Sequence, residues 1–433
     1  MSEKEKYEIN PGGITQMEKL VGACMFGQSG GPTSVINSSA AGVFLEAMKH
    51  DCITEIYGAA HGIRGILDEE FYDMRKEDVE ELKLLKNTPS SALGSVRYKL
   101  KSADVDDTDY KRLLEVFKKY NIRYFFYNGG NDSMDTCNKV SKYLQKSGYE
   151  CRVMGVPKTI DNDLDITDHC PGYGSAAKYV ATTMMELKLD ANVYDTPMIT
   201  VVEVMGRHAG WLTAASALAS YKGLGPDLIY LPEIPFDTDK FLSDVEKTMA
   251  KTGGKCMVAV SEGISDAEGT LIAEKLGTNL AKDSFGHAQL GGVGAMLSNL
   301  CKDKFGCKTR AIEFSLMQRC GAHLASKVDV EEAFRAGATA VKYAVKGTTD
   351  KMVYFKRVMK DGKYSCKMGI MDVAKAANTE KKVPLSWIIN DGTMLSKEYV
   401  DYAMPLIQGD CKAPLEDGLP RFAKLKKVFA EKK

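Results

Sequence analysis

Short apolar runs, each followed by a glycine-containing turn and then by a helical pattern, recur along this chain and limit its possible folds more than any other feature. Residues 21–26 form such a run, residues 27–32 form the turn, and apolar side chains then recur at helical spacing from residue 35 to residue 47. Similar runs are found at residues 122–127, 152–156, 198–205 and 256–260. This alternation predicts an α/β fold of parallel sheets with helices on both faces. Ligands of such sheets bind beyond the carboxyl ends of the strands, so functional residues are expected in the glycine turns.

The length and charge of the chain limit the classes of protein to which it can belong. With 433 residues it exceeds what one hydrophobic core usually supports, which predicts two lobes. Its 58 basic and 58 acidic residues balance, so the charge indicates neither nucleic-acid binding nor an acidic tail. The charged N-terminus lacks the apolar segment of a secretory signal, and no run approaches the ~18 apolar residues of a membrane span. We therefore expect a cytoplasmic protein that binds no membrane.

Eleven cysteines are scattered along the chain without any C-x-x-C pair. This odd number and this spacing argue against a disulfide framework and against a zinc site. Because free cysteine usually behaves as a small apolar residue, the pattern predicts buried thiols in a reducing cytosol.

The first glycine turn, Gly27-Gln-Ser-Gly-Gly-Pro-Thr33, joins a predicted strand to the N-terminus of a predicted helix. Glycines let the backbone approach a ligand closely, and the N–H groups at a helix start favour an anion. The spacing is neither that of a P-loop nor the dinucleotide motif G-x-G-x-x-G. The turn is therefore predicted either to bind phosphate or to serve only as a tight connection.

The next turn of this kind, Gly129-Gly-Asn-Asp-Ser133, adds a carboxylate beside the glycines. Phosphate and carboxylate repel each other unless a cation bridges them, so Asn131 and Asp132 are candidate ligands of Mg²⁺. Alternatively the two side chains cap the following helix, and both roles are compatible.

The most informative turn is Pro157-Lys-Thr-Ile-Asp-Asn-Asp163, which follows a predicted strand. Lys158 can neutralise charge on a transferring phosphoryl group, while Asp161 or Asp163 can accept a proton from an attacking hydroxyl. The alternative interpretation is a polar loop without a catalytic role.

Two further turns carry groups suited to a phosphorylated sugar. Arg207, in Met205-Gly-Arg-His208, can form a bidentate pair of hydrogen bonds with phosphate or with sugar hydroxyls. Glu262 can accept hydrogen bonds from sugar hydroxyls. The same two residues could instead form a structural salt bridge. Later in the chain, Arg310 and Arg319 flank the strand-like residues 311–316, a separation that suits a second phosphate on the substrate.

In this order, the segments 157–163 and Val201-Val-Glu-Val-Met-Gly-Arg207 resemble the phosphofructokinase family, and matching stretches run from about residue 21 to residue 337. The resemblance implies two Rossmann-like lobes with the active site in the cleft between them. The lobe for the phosphoryl donor is expected to comprise residues 1–172, completed by residues 318–376. The lobe for the sugar phosphate is expected to comprise residues 173–317, completed by residues 377–433. The lysine-rich residues 422–433 are predicted to be the end of an amphipathic helix.

The resemblance also implies roles for individual residues. Asp161 matches the general base that takes the proton from the 1-hydroxyl of fructose 6-phosphate. Gly30, Gly31 and Arg97 match residues that face the phosphates of the donor. Sugar-phosphate contacts are implied for Thr159, Asp163, Met205, Gly206, Arg207 and Glu262, and contacts to the 6-phosphate for Arg310 and Arg319.

Two positions indicate the donor. Family members that use ATP resemble Gly-Gly-Asp-Gly-Ser and have glycine where this chain has Asp132, and they also have glycine in place of Lys158. A carboxylate at Asp132 would face the α-phosphate of ATP, and such a juxtaposition of like charges costs several kcal/mol. Lys158 in turn supplies positive charge to the phosphate that leaves. Both residues match the pyrophosphate-dependent branch.

Three positions depart from the family pattern. Asn131 stands where pyrophosphate-dependent members commonly have aspartate, which makes Asp132 an alternative metal ligand. Met198 stands where well-known bacterial members have an arginine that crosses a subunit interface, and Leu316 replaces a histidine or tyrosine. Residues 285–292 resemble the family's Gly-His-x-Gln-Arg turn but lack its arginine, so they are expected to form only a loop near the site.

The resemblance therefore implies a Mg²⁺-dependent, reversible transfer of phosphate from pyrophosphate to fructose 6-phosphate, in a homodimer or homotetramer. The alternatives are an ATP-dependent enzyme of the same fold, or a pyrophosphate-dependent kinase of another sugar phosphate such as sedoheptulose 7-phosphate. A non-catalytic regulatory subunit is a further alternative, although Asp161 and Arg207 are both retained.

Overall fold

Two mainly parallel sheets form the framework of the protein in a computed structural model, which describes residues 20–275, 291–376 and 380–433. The strands in chain order are β1 (Gly22–Gln28), β2 (Ile53–Ala59), β3 (Phe71–Asp73), β4 (Ile122–Gly129), β5 (Arg152–Pro157), β6 (Met198–Val204), β7 (Leu228–Tyr230), β8 (Lys255–Ser261), β9 (Lys308–Glu313), β10 (Lys351–Lys360), β11 (Lys363–Asp372), β12 (Ile388–Ile389), β13 (Met394–Leu395), β14 (Leu415–Glu416) and β15 (Leu419–Pro420). The helices are α1 (Ile36–Ala47), α2 (Ile63–Leu67), α3 (Val79–Leu84), α4 (Thr108–Lys119), α5 (Asn131–Lys146), α6 (Tyr173–Ala191), α7 (Trp211–Ala214), α8 (Ser216–Tyr221), α9 (Thr238–Lys251), α10 (Ile272–Lys275), α11 (Val293–Phe305), α12 (Met317–Cys320), α13 (Lys327–Val345), α14 (Val373–Ala376) and α15 (Lys397–Ala403). This alternation confirms the α/β fold predicted from the sequence.

The first sheet has, within the described residues, seven strands in the order β11-β10-β5-β4-β1-β2-β3. Strands β5, β4, β1 and β2 are parallel, whereas β3 and β11 run antiparallel at the edges. Alternate residues of β1 pack under different helices: Cys24 and Phe26 share a core with α1 and α13, while Ala23 and Met25 share one with α4 and α5. Because both faces of the strand are buried, its sequence is a continuous apolar run.

The second sheet has four parallel strands in the order β7-β8-β6-β9, counted among the described residues. Ile199 and Val201 of β6 pack with α9 and α11, and Val202 and Val204 pack with α6 on the other face. Strand β9 forms one edge of the sheet and is partly exposed along its length. The carboxyl ends of β6 and β8 lie side by side and carry the Met205–Arg207 turn and Glu262.

The chain returns to the first lobe and then to the second after α12. Strands β10 and β11 extend the first sheet next to β5, within the part of the chain expected to complete that lobe. Tyr399, Val400 and Ala403 of α15 then pack in the core of the second lobe.

The last residues lie against the first lobe, so the assignment of all of residues 377–433 to the second lobe is wrong for this stretch. Asp73 N donates a hydrogen bond to the carbonyl of Val428 (2.9 Å), and Ala430 N donates to that of Phe71 (2.9 Å). The helix predicted for residues 422–433 is also wrong, because these residues form no helix and only a single β-bridge, between Phe429 and Tyr72. The backbone N–H groups of this segment donate to the first lobe instead of to carbonyls of the same segment. For example, the amides of Lys426 and Lys427 donate to the Glu77 carboxylate (both 2.7 Å).

The cysteines match the prediction of free thiols, because all eleven are unpaired and eight of them are buried. Within the described residues, the helices lack the combination of length and apolar character that crossing a membrane requires.

Candidate active site

The two glycine turns, 27–33 and 129–133, and the turn of residues 157–163 lie side by side because β1, β4 and β5 are neighbours in the first sheet. Lys158 N donates a hydrogen bond to the carbonyl of Gly129 (2.9 Å), and Ser29 N donates to that of Asn128 (3.0 Å). The Lys158 side chain reaches the first turn, where Nζ donates to the carbonyl of Gly31 (2.5 Å). The predicted donor turn and the predicted catalytic turn therefore form one surface at the carboxyl ends of the strands.

The first turn has the backbone geometry of a close-approach loop. Gly30 has a φ of 76°, a left-handed conformation that glycine adopts without strain. The segment that ends in Arg97 supports the turn from the side: Ser95 Oγ donates to the carbonyl of Gly30 (2.6 Å), and Gly30 N donates to that of Val96 (3.3 Å). This contact brings Arg97 next to the donor turn.

Three cations converge on this turn: Lys158, Arg97 and Arg319. Burial, together with the charges of Arg319 and Arg97, lowers the pKa of Lys158 to about 8 against the opposing effect of two aspartates. Burial and the Arg97 charge likewise lower the pKa of Arg319. A Cβ added to Gly31 would lie only 3.1 Å from Arg319 Nη1, so the glycine leaves room for this guanidinium. Cations that destabilise one another in this way form a site for an anion of high charge.

Asp161 lies in the same loop, next to these cations. Its backbone N–H donates to Thr159 Oγ1 (3.1 Å), and the hydroxyl of Thr159 donates in turn to Asp161 Oδ2 (3.4 Å). Burial raises the pKa of Asp161, while the charges of Lys158 and Arg207 oppose that shift. A buried carboxylate with a raised pKa and two cationic neighbours is suited to accept a proton during a reaction.

The third turn also meets the start of α5 through Asp163 and Asn131. Asn131 Nδ2 donates to Asp163 Oδ2 (3.2 Å), whereas the other side-chain oxygens, Asn131 Oδ1 and Asp163 Oδ1, are buried without a hydrogen-bond partner in the described structure. Burial and the Asp161 charge raise the pKa of Asp163. Two buried oxygens that lack donors form a ligand set that suits Mg²⁺, which prefers carboxylate and carbonyl oxygens. Asp132 lies beside them in the first turn of α5, and Gly130, rather than either predicted capping side chain, is the N-cap of that helix.

The second lobe contributes the turn after β6. Met205 N donates to Gln318 Oε1 (3.2 Å), and Gly206 N donates to Glu262 Oε1 (3.3 Å). Gly206 has a φ of 149°, and a Cβ there would lie 2.8 Å from Ser261 Oγ, so only glycine fits this turn. The turn is thereby fixed on three sides and presents Arg207 to the cleft.

Glu262 faces the catalytic loop from the second lobe. Burial, together with the negative charge of Asp161, raises its pKa to about 7 against the effects of Gly206 N and Arg207. The carboxylate of Glu262 is therefore close enough to Asp161 for the two to interact, although they belong to different lobes. The cations of the donor turn and the Glu262 carboxylate of the second lobe thus line one cleft. Such a site can catalyse transfer of a phosphoryl group to a hydroxyl.

Arg310 does not belong to this group. The predicted strand at residues 311–316 is strand β9, Lys308–Glu313, so Arg310 lies within the strand instead of beside it. Its guanidinium pairs with Asp190 at the end of α6 (3.4 Å), and its side chain is 39% exposed on the edge of the sheet. Arg319, in contrast, lies in the short helix α12 and reaches the cleft, where the charges of Asp161 and Glu262 act on it.

Two of the positions that depart from the family pattern, Met198 and Leu316, differ in their exposure. Met198 is buried at the start of β6, at the end of the strand opposite the glycine turn, and Leu316 is 52% exposed just before α12. Of the loop expected at residues 285–292, only residues 291 and 292 fall within the described residues.

Several residues that hold the site were not found by sequence reasoning. Gln318 was visible only as the residue before Arg319, yet it fixes the Met205 backbone. Lys381 and Tyr402 hydrogen-bond to the loop of Asp161 and Asp163 from the C-terminal part of the chain. No local pattern marks them, because Lys381 is one of several consecutive charged residues and Tyr402 lies in an ordinary amphipathic helix.

Comparisons with known proteins agree with this geometry. A family model described as phosphofructokinase matches residues 24–344. The chain is 44% identical over 412 residues to a pyrophosphate--fructose 6-phosphate 1-phosphotransferase of Halomonas elongata, a match that covers 94% of this chain and 97% of that protein. It is 45% identical over 421 residues to a protein of the same name from Xanthomonas campestris pv. campestris, covering 95% and 98% of the two chains.

A solved structure is similar over the same extent. The crystal structure of a pyrophosphate-dependent phosphofructokinase from Marinobacter aquaeolei superimposes with a TM-score of 0.85 at 40% sequence identity, covering 95% of this chain and 98% of that one. The match extends past residue 344, where the family model ends, so the C-terminal part also has a counterpart of known structure.

Proposed function

Because the chain belongs to the phosphofructokinase family, we propose that it transfers a phosphoryl group from pyrophosphate to the 1-hydroxyl of fructose 6-phosphate, giving fructose 1,6-bisphosphate and phosphate. The relatives that match nearly its whole length have this activity in their names. The transfer is reversible, because the bond broken in pyrophosphate and the bond formed in the product are close in free energy.

One observation carries the choice of donor: the buried ammonium of Lys158 lies 2.5 Å from the carbonyl of Gly31, inside the donor turn. There it is placed to neutralise the phosphate that leaves when the P–O–P bridge of pyrophosphate breaks. Asp132, in the first turn of α5, adds a carboxylate beside the same surface. A nucleoside triphosphate would bring its α-phosphate against that carboxylate, which costs several kcal/mol.

In this mechanism Asp161 accepts the proton of the sugar hydroxyl while the hydroxyl oxygen bonds to phosphorus and the bridging P–O bond breaks. The raised pKa of Asp161 suits it to take this proton. Lys158 stabilises the charge that moves onto the leaving phosphate, and Gly30, Gly31 and Arg97 bind the donor. Arg319, for which the resemblance implied contact with the 6-phosphate, lies beside Gly31 and is assigned to the leaving phosphate instead. Thr159, Asp163, Met205, Gly206, Arg207 and Glu262 bind the sugar phosphate.

Mg²⁺ is the metal that the donor set fits. Asn131 Oδ1 and Asp163 Oδ1, both buried without a hydrogen-bond partner in the described structure, would hold the ion together with Asp132. The bound ion would offset the repulsion between these carboxylates and the donor phosphates.

We assign Arg310 to the 6-phosphate site of a neighbouring subunit in a homodimer or homotetramer. The residue lies on an edge strand, away from the cleft of its own chain, with a partly exposed guanidinium. Complementation tests this: subunits carrying Asp161→Asn and subunits carrying Arg310→Leu, each inactive alone, should regain activity when they are co-assembled. If the mixed oligomer stays inactive, Arg310 does not act in the site of a neighbouring subunit, and the assignment is wrong.

The function itself is tested by initial rates with fructose 6-phosphate and Mg²⁺, with pyrophosphate and ATP in separate assays. We expect turnover with pyrophosphate and a rate with ATP at least 10²-fold lower, because the Asp132 charge opposes ATP. Turnover with ATP alone would contradict the donor assignment. Turnover with pyrophosphate only when sedoheptulose 7-phosphate is the acceptor would contradict the sugar assignment. In the double variant Asp132→Gly, Lys158→Gly, the use of ATP should improve relative to pyrophosphate.

A further inference from the structure

Residues 380–383, here called the strap, cross the catalytic loop of residues 158–172. The strap begins at Glu380, which forms a β-bridge with Leu164 of the loop. At its other end Val383 N donates to Glu233 Oε1 of the second lobe (3.0 Å). The strap lies beyond residue 344, outside the region that the family model matches, so the motifs of that region do not include it.

Lys381 makes most of the contacts between the strap and the loop. Its backbone N–H donates to the carbonyl of Asp163 (2.7 Å), and its Nζ donates to the carbonyls of Thr167 (3.0 Å) and Asp168 (2.8 Å). One residue therefore binds the loop both at Asp163 and where the chain turns back toward α6.

The same residue also binds the second lobe. Trp211 Nε1 donates to the carbonyl of Lys381 (2.8 Å), and the ammonium lies 5.4 Å from the centre of the Trp211 ring. Trp211 begins α7, a few residues after Arg207 in the turn that faces the sugar. Lys381 thus connects the loop of Asp161 and Asp163 with the turn of Arg207.

The loop needs such support because its own backbone does not fix its shape. Between β5 and α6 it forms no helix or extended sheet strand, and Asn162 and Ile166 have positive φ values of 55° and 68°. A β-branched residue such as Ile166 is strained in this conformation, because its Cβ crowds the following carbonyl oxygen. Backbone strain of this kind persists only where the surrounding contacts hold it.

A second residue from the C-terminal part holds the loop at its strained position. Asn162 Nδ2 donates to Tyr402 Oη (2.8 Å), and the Tyr402 hydroxyl donates to the carbonyl of Asp168 (2.7 Å). Tyr402 and Lys381 therefore bind the same carbonyl from two sides, which fixes Asp168 relative to both lobes.

We propose that Lys381 is a positioning residue for phosphoryl transfer, which holds Asp161 and Asp163 in register with Arg207 across the cleft. It acts through the carbonyls of Asp163, Thr167 and Asp168 and not through contact with substrate. Tyr402 helps to hold the same arrangement through its hydrogen bond with Asn162. The assignment rests on the proposed function, because it concerns the step in which the sugar hydroxyl meets the donor phosphate.

The test compares Lys381→Met, Lys381→Arg and Lys382→Met, with kcat and KM measured for both substrates. Methionine keeps an aliphatic chain over Trp211 but removes the donors to Thr167 and Asp168. We expect kcat to fall between about tenfold and a hundredfold, because small misplacements of reacting groups have effects of that size. The KM for pyrophosphate should stay within about twofold, since Lys158, Gly31 and Arg97 are held by other contacts. Lys381→Arg retains donors for both carbonyls and should recover most of kcat.

Lys382→Met is the matched control, because Lys382 is the exposed neighbour in the strap. It should behave like the unmodified protein. Hydrogen exchange gives a readout independent of activity: in Lys381→Met the amides of residues 158–172 should exchange faster, while those of β1 and β4 should not.

The outcomes separate the two proposals. If the unmodified protein is inactive with pyrophosphate, the proposed function fails, and faster exchange confined to the loop would still show that Lys381 holds it. If the unmodified protein is active and Lys381→Met keeps its kcat, the positioning role is wrong. A loss of kcat that arginine does not restore, or that occurs with a general rise in exchange, would reduce Lys381 to a structural residue. Tyr402→Phe, which removes only a hydroxyl, should lower kcat in the same direction and by less.

Discussion

Two clusters of polar and charged side chains each include residues of the loop 158–172, and their hydrogen bonding differs. The catalytic cluster comprises Lys158, Asp161, Asp163, Glu262 and Arg319. The histidine cluster comprises Asp168, His169, Glu332, Arg357 and Tyr364. Only a few residues of chain separate Asp163 from Asp168, so the difference between the clusters does not arise from their position in the sequence.

The histidine cluster is fully paired. His169 Nδ1 lies 2.7 Å from Asp168 Oδ2, and His169 Nε2 lies 2.7 Å from Glu332 Oε2. Arg357 Nε donates to the other oxygen of Asp168 (2.9 Å), and the hydroxyl of Tyr364 donates to Glu332 Oε1 (2.9 Å). Burial alone would lower the pKa of His169, but the two carboxylates raise it overall.

The catalytic cluster is left incomplete. Its carboxylates have pKa values raised mainly by burial, and its lysine has a pKa lowered by burial to about 8. Asp163 Oδ1 and the neighbouring Asn131 Oδ1 lack partners among the described residues. Both clusters are made of buried and half-buried residues, so burial does not identify the active site. Charges that remain unsatisfied until a ligand arrives do identify it.

The largest expected effect is on Asp161. Asp161→Asn should lower kcat by about 10³–10⁴, the upper range for loss of a general base. Fructose 6-phosphate and pyrophosphate should still bind, as measured by calorimetry, and stability to urea should not fall, because a poorly satisfied buried charge is removed. Asp165→Asn, in the same loop, is the control. Substantial remaining activity in Asp161→Asn would remove this residue from the role of base and would weaken the contrast between the clusters.

The next effect concerns Lys158. Its charged form is the one that binds the donor, and its lowered pKa of about 8 means that this form disappears as pH rises above 8. We expect kcat/KM for pyrophosphate to fall about tenfold per pH unit on the alkaline side. Lys158→Met should lower kcat/KM by about 10²–10³ and abolish this limb, because the titrating charge is gone. If kcat/KM of Lys158→Met still falls at alkaline pH, the group that titrates there is not Lys158.

In the histidine cluster the expected effect is on stability instead of rate. His169→Gln leaves two buried carboxylates without their shared cation and should lower the free energy of unfolding by about 3 kcal/mol. Urea denaturation measures this change, and kcat of the folded fraction should stay within about threefold. A large loss of kcat with unchanged stability would show that the two clusters act together.

The stability from this cluster should also depend on pH in a defined direction. Because the pKa of His169 is raised, its contribution is complete below the unfolded value of about 6.5 and is lost as pH rises through the folded value. The hydrogen bonds from His169 and Arg357 hold the pKa of Asp168 well below its usual range against the raising effect of burial, so its contribution is complete above about 4 and is lost as pH falls further. The difference between the unmodified protein and His169→Gln should therefore be largest between about pH 4 and 6.5.

The sequence predicted the framework, and which turns come together, for a physical reason. Apolar runs and glycine turns are local patterns, and the carboxyl ends of parallel strands bring their turns together, so Lys158, Asp161 and Arg207 could be assigned without knowledge of distant contacts. The histidine cluster could not be predicted in this way, because His169 and Glu332 are 163 positions apart and no local pattern links them.

The errors have the same origin. The lysine-rich residues 422–433 have an amphipathic pattern, but their amides bind Glu77 and the edge of the first sheet, contacts that only the folded chain provides. The strand was expected at residues 311–316, with Arg310 just before it, but the pairing of β9 with β6 begins at Lys308 and places Arg310 within an edge strand. Long-range contacts decide these cases.

The smallest expected effect sharpens the contrast between the clusters. Tyr364→Phe removes one hydrogen bond to Glu332 but leaves the His169 pair intact, so it should lower the free energy of unfolding by about 1–2 kcal/mol, the cost of one unsatisfied buried acceptor. The phenyl ring keeps the contact of the Tyr364 ring with the Arg357 guanidinium, which lies 5.1 Å from its centre. Because neither group reaches the cleft, kcat and its pH profile should be unchanged. A change in the pH profile would mean that the paired cluster influences the charge of the catalytic loop, and satisfaction of hydrogen bonds would then no longer separate the structural residues from the catalytic ones.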